Sequence, residues 1–179
     1  TGTFKLSFKR ETVLGQNVLA SISLTCALSL ILAVVARVIS VVLGVGNTIS
    51  VLDLALVSVA GGLLASVVVL GSTLQLSIGA VRRGWDMDNL VAPTVSTLGD
   101  VITIPALFLA TKLLGHGSIT AALAWVTVGV STLVFVASIR SKLAELRQII
   151  WESMPVLTGA IVLSTLAGIA VQKQLSVFA

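Results

Sequence analysis

The chain has 179 residues, of which 56% are hydrophobic and only 10% charged, with a mean hydropathy of +1.13 and a net charge of +4. A soluble domain carries about 25% charged residues, and one this small has too little interior to hide so much apolar surface, so a soluble globular fold is excluded. The excess of Lys and Arg then orients membrane segments and gives no reason to invoke nucleic acid.

A spanning helix needs about 20 apolar residues to cross the hydrocarbon layer. Five runs qualify, at about 15–44, 50–81, 92–114, 118–139 and 154–172. They are long and continuously apolar, without the short alternating segments of a β-barrel. The expected fold is an all-α, polytopic transmembrane bundle in a single domain of residues 1–179. No cleavable signal peptide is visible. The chain opens at Thr1 without a methionine and reads as a piece lacking its natural start.

In chain order, Lys5, Lys9 and Arg10 precede the first span, which carries the single cysteine, Cys26. A lone thiol forms no internal disulfide and no cysteine metal site, so Cys26 reads as a small packing residue. Gly44, Gly46 and Asn47 suggest a compact turn into the second span. Arg37 and Asp53 flank that turn and are expected to pair, or Arg37 reaches the outer interface. The second span ends in Arg82 and Arg83. Arg82-Arg83-Gly84-Trp85-Asp86-Met87-Asp88-Asn89 then gathers two carboxylates and an amide before the third span. Two readings stay open: a solvated turn in which Asp88 or Asn89 caps the next helix, or a cation-attracting vestibule made by Asp86, Asp88 and Asn89.

The third span carries the least expected residue, Asp100. Ionisable groups in hydrocarbon are costly and are functional candidates by default. Thr94, Thr97 and Thr103 step by threes through Asp100, which suggests one shared face, with Ser96 beside it and Gly99 admitting a close neighbour. Hydroxyls with a carboxylate suit hard cations, which prefer oxygen. A protonated Asp bonded to another helix, with hydroxyls bonded to backbone carbonyls, is the alternative. Pro105 returns no N–H to the preceding turn and so leaves a carbonyl available.

Gly115-His116-Gly117-Ser118 makes a second uncharged turn, and Arg140, Lys142 and Arg147 follow the fourth span. Ser141 to Glu152 mixes charges with Leu143, Leu146, Ile149, Ile150 and Trp151, and reads as an amphipathic helix on the inner membrane surface. Basic loops therefore alternate with uncharged ones. By the positive-inside rule the expected placement is a multi-pass protein of the cell membrane, its N-terminus cytoplasmic and its C-terminus outside.

Gly84 to Pro93, followed by Ser96-Thr97-Leu98-Gly99-Asp100, resembles the signature of MgtE-type magnesium transporters, in the archaeal and animal solute-carrier branch. The family shows a Gly-x-Asp-Pro-Asp-Asn loop, a small-residue and proline step, and a Thr-rich segment ending in Asp. The resemblance implies a homodimer, or a pseudo-dimer of two repeats, with the pore at the interface. It also implies Mg²⁺ as the transported ion, no cofactor, and Asp100 as the metal ligand. Met87 replaces the usual proline. No cytoplasmic regulatory domain precedes the spans in this sequence, and the family's first span is not recognisable before residue 15. Trp151 to Leu157 resembles the opening of a family repeat, so the fifth span either begins a second repeat or stands in for the missing one.

The expected function is transport of a divalent cation, Mg²⁺ first, held largely hydrated at Asp100. Thr94, Ser96, Thr97 and Thr103 line the path, and the bilayer and a second copy or repeat are partners. Two alternatives remain: a transporter of Ca²⁺, Mn²⁺ or a Na⁺-coupled substrate, and a non-transporting subunit whose Gly61, Gly62, Gly71 and Gly79 are packing surfaces. An enzyme is not expected, because His116 is the only histidine and no nucleophile–base arrangement is visible.

Overall fold

The computed structural model describes residues 12–42 and 49–178, and every regular element among them is helical. The helices are α1 (Val13–Val42), α2 (Val51–Arg83), α3 (Ala92–Thr111), α4 (Ser118–Ile139) and α5 (Ala144–Phe178). Each contains a stretch long and apolar enough to cross a membrane. The 30 residues of α1 and 33 of α2 span about 45–50 Å at 1.5 Å per residue. Both exceed the hydrocarbon thickness, so they cross tilted or project beyond it.

The boundaries follow from local chemistry. Ser50 caps α2 by accepting from the Asp53 N–H at 3.1 Å and donating to Asp53 Oδ2 at 2.8 Å. This pairing satisfies an otherwise orphaned amide of the first turn. Asp53 is therefore committed to its own helix end and does not pair with Arg37, which removes the first of the two expectations for these residues. One Arg37 guanidinium nitrogen is fully shielded and has no hydrogen-bond partner among the described residues. At the other end of α2, Gly84 enters the left-handed region at φ 66°, and the Trp85 N–H closes on Ala80 O at 2.9 Å. Gly115 and Gly117 also take positive φ in the turn between α3 and α4. The expected turn at Gly44, Gly46 and Asn47, and the basic residues Lys5, Lys9 and Arg10, lie outside the described residues.

α2 is the centre of the bundle because two adjacent glycines bring neighbours close on two sides. A methyl at Gly61 would stand 2.7 Å from Leu107 Cδ2 and 3.0 Å from Leu107 Cα on α3. At Gly62 it would stand 2.9 Å from Ser29 Oγ on α1. Small residues permitting backbone approach are the usual basis of packing in lipid, where no hydrophobic force drives helices together. Thr25 and Ser66 add a hydroxyl–hydroxyl bond of 3.0 Å between α1 and α2. α4 packs on both α1 and α2, whereas α3 packs on α2. About a third of α1's spanning stretch is buried (33%), against 11% for the third span and 6% for the fifth. Most of the apolar surface of α3 and α5 therefore faces lipid or another molecule.

The segment expected to lie as a separate amphipathic helix is instead the start of α5, which runs without a break past Pro155. Its apolar stripe is not laid on a membrane surface. Leu146 and Ile150 are buried against Ala20 and Leu24 of α1, with Phe135 and Ile139 of α4 alongside. Gln16 Oε1 accepts from the Leu146 N–H at 3.1 Å, so α1 supplies an acceptor to the first turn of α5, whose amides lack partners within their own helix. The fifth span thus begins well before residue 154. Trp151 remains exposed, as expected of an interfacial aromatic.

Candidate functional site

The loop before α3 is built on Asp86. Its Oδ1 accepts from the N–H groups of Asp88 (2.9 Å) and Asn89 (3.2 Å), and its Oδ2 accepts from the Asn89 side-chain amide (2.7 Å). Asp86, and neither Asp88 nor Asn89, is therefore the capping residue. Both of its oxygens are engaged inside the turn. The backbone N–H of Asn89, then its side-chain amide, then the N–H of Asp88 hold the Asp86 carboxyl below the usual value, because all three favour the charged form. Asp88 lies two residues on, exposed.

From this cap the chain takes a wide π-type turn, Met87–Val91, before settling into α3. Pro93 sits at the junction. It has no N–H for the preceding turn, and its ring crowds the carbonyl an α-helix would use, so the change of pitch falls there. Single π turns of this kind occur often at functional positions.

Along α3, three threonines share one behaviour. Thr94 donates to Leu90 O at 2.6 Å, Thr97 to Pro93 O at 2.9 Å and Thr103 to Gly99 O at 2.6 Å. Each hydroxyl proton is thus used on its own helix, and what the side chain offers outward is an oxygen acceptor. Asp100 lies among them, exposed, with no hydrogen bond or ion pair among the described residues. A methyl placed on Gly99 would stand 3.9 Å from Val69 Cγ2 of α2, so this side of α3 faces α2.

The expected single face is not what forms. Thr94 and Thr97 line a shallow concavity of about 440 Å³ with Pro93, Leu98 and Val101. Thr103 lines a different cavity with α1, α2 and α5. A three-residue step falls about 60° short of a full turn, so the stripe winds around the helix. Ser96 is exposed and lines neither concavity.

The second cavity, of about 810 Å³, was not anticipated. Its walls carry Ser21, Thr25 and Ser29 from α1, Ser66 and Thr73 from α2, and Ser164 and Thr165 from α5. The signal was present, since residues 21, 25 and 29 recur every four positions and so share a face. It was hidden because serines and threonines among alanines and glycines read equally well as packing. Cys26 is buried on the same helix. No cluster of three or more His, Cys, Asp or Glu able to hold a metal ion occurs among the described residues. Any cation held by one copy must then take most of its ligands from water, hydroxyls or a second chain.

Nothing among curated proteins, and no solved structure, matches the chain. Residues 1–110 match the MgtE family, described as divalent cation transporter. That match spans α1, α2, the Asp86 turn and all but the end of α3, which is well over half of the sequence. The chain is therefore a member of the MgtE family of divalent cation transporters.

Proposed function

We propose that the chain conducts Mg²⁺, with Asp100 as the intramembrane carboxylate that holds the ion in a largely hydrated state. The observation that carries this reading is the unpartnered Asp100 on α3, flanked by threonines whose protons are already used. Water bound to Mg²⁺ donates hydrogen bonds outward, so its shell needs acceptors. A carboxylate with back-bonded hydroxyls is an acceptor-only surface of that kind. Mg²⁺ is small and sheds water reluctantly, so one or two carboxylates with a hydroxyl rim suit it better than a closed protein cage.

In this reading Thr94 and Thr97 guide the ion toward Asp100, Ser96 and Thr103 are secondary contacts, and Asp88 and Asn89 attract cations at the cytoplasmic mouth. Asp86 braces that mouth and does not ligate. The pathway is completed by a second copy or repeat facing α3, since α3 packs on α2 and leaves its outer surface open. The N-terminal end and the loop from Arg82 to Asn89 face the cytoplasm, as the distribution of basic residues requires. The protein acts as a transporter without catalytic chemistry or a cofactor.

The test is Mg²⁺ uptake by proteoliposomes containing the chain, with Ca²⁺ and Mn²⁺ as competitors. Uptake that neither competitor suppresses at equal concentration supports a Mg²⁺ path. Preferential uptake of Ca²⁺ or Mn²⁺ transfers the site to another divalent ion, and no uptake of any ion favours the non-transporting subunit.

A further inference from the structure

The fifth helix changes character at Pro155, which lies inside it. Before Pro155, Leu146 and Ile150 are buried against α1, Met154 packs on the same cluster, and Gln16 Oε1 holds the Leu146 N–H. From 155 to 167 no residue is buried. Proline returns no N–H to the preceding turn and its ring crowds the carbonyl four residues back, here that of Trp151. The helix is therefore weakest where its packing ends.

The arm beyond Pro155 stands off from a surface that matches it. Leu157, Ala160, Ile161, Ser164 and Thr165 all line the cavity of about 810 Å³, and their steps of three and four place them on one helix face. Ser66, Val69 and Thr73 of α2 line the same cavity at the same steps. Yet among the described residues no Cα of α5 comes within 8 Å of one of α2. Ala160 and Ser164 are small and one turn apart, the pattern that lets helices approach closely in lipid. Two such faces held apart forfeit the dispersion contacts they would make together.

The cavity also lies on the Asp100 side of α3. Successive residues of an α-helix are about 100° apart. Gly99 faces α2, and Leu98 lines a groove with Ser72 and Gln75 of α2 on one flank, which puts Asp100 on the opposite flank. Thr103, about 60° from Asp100 on that flank, lines the cavity. Among the described residues α3 and α5 do not pack together, so the cavity is open between them. We propose that the arm of α5 beyond Pro155 is a gate. It turns about Pro155, lays its cavity-facing stripe on α2, and closes the space beside Asp100. The effect on the ion rests on the Mg²⁺ reading of Asp100, whereas the closing motion does not.

The experiment uses the full chain in proteoliposomes, with Cys26→Ala removing the native thiol. Ser66→Cys is combined in turn with Leu157→Cys, Ala160→Cys, Ile161→Cys and Ser164→Cys and exposed to copper phenanthroline. A disulfide needs Cα atoms within about 7 Å, so these pairs join only if the arm closes. At least one is expected to cross-link within a single chain. Leu163 lies off the stripe at 69% exposure, and Ser66→Cys with Leu163→Cys is the control expected to stay reduced. Adding Pro155→Ala restores one backbone hydrogen bond to α5 and should slow the cross-link about fivefold. Oxidation of the joined pair should abolish Mg²⁺ uptake, and reduction should restore it. No cross-link at any stripe position, equal cross-linking in the control, or a rate indifferent to Pro155→Ala overturns the closing arm. Cross-linking that leaves uptake intact overturns the gate. A chain that carries no Mg²⁺ even when reduced sinks the transport reading and the gate with it, and the cross-linking rates alone then decide whether the arm closes.

Discussion

The α1–α2 interface and the outer face of α3 use the same hydroxyl side chains to opposite ends. Between α1 and α2, Thr25 bonds to Ser66 across the helices at 3.0 Å, beside the close approach at Gly62. There a hydroxyl joins two neighbours. On α3, Thr94, Thr97 and Thr103 each turn back on their own helix, and no described residue bonds to the carboxylate between them. The difference lies in the partner. A hydroxyl that meets another helix acts as packing, whereas one that bonds only to its own carbonyl leaves its oxygen as an acceptor. Residue type does not separate the two cases, but the destination of the proton does.

The sharpest way to break the packing side is Gly61→Ala. The new methyl meets the Leu107 backbone as well as its side chain, so α3 must move. Overpacking of this kind costs about 1–3 kcal/mol, and a thermal melt in detergent should show a lower midpoint. An unchanged melting temperature contradicts the close approach of α2 and α3.

A smaller effect is expected at the hydroxyl pair. Thr25→Val keeps the shape and removes the bond to Ser66. Interhelical hydrogen bonds in membranes average about 0.6 kcal/mol, so the loss should be near that value and transport should persist. A large loss of transport with an unchanged melt would move Thr25 from packing to the ion path.

The smallest effect belongs to the Asp86 turn. Its carboxyl is held below the ordinary value of 3.8 by the Asn89 and Asp88 donors. A depressed folded value means that the stabilisation is fully present above the unfolded value and fades as pH falls through the folded one. Trp85 fluorescence, with Trp125 and Trp151 changed to Phe, should report the turn opening at a midpoint below pH 3.8. Asp86→Asn should loosen the turn at neutral pH. A midpoint at or above 3.8 contradicts the hydrogen bonding described.

The bundle was largely legible in the sequence because its signal is one of length and hydropathy, which each span carries alone. Val13–Val42, Val51–Arg83 and Ser118–Ile139 fall within a few residues of the expected limits. The start of α5 was misread because charges alternating with Leu146 and Ile150 describe a helix with one apolar face. They do not say whether lipid or α1 covers that face. Of the two readings of Arg37 and Asp53, the pairing fails because nearness in sequence did not reveal that Ser50 already engages Asp53. Asp100 stood out on cost alone, while the winding of its threonines needed the helix geometry.

The most direct test of the central claim is Mg²⁺ flux through Asp100→Asn beside the wild type, at matched folding and assembly. The substitution replaces one carboxylate oxygen by an amide and keeps the shape. Because Asp100 makes no hydrogen bond or ion pair among the described residues, the melting temperature should hold while flux falls at least about tenfold, the scale of a lost charge-assisted contact. Equal flux in both proteins would remove Asp100 from the ion path.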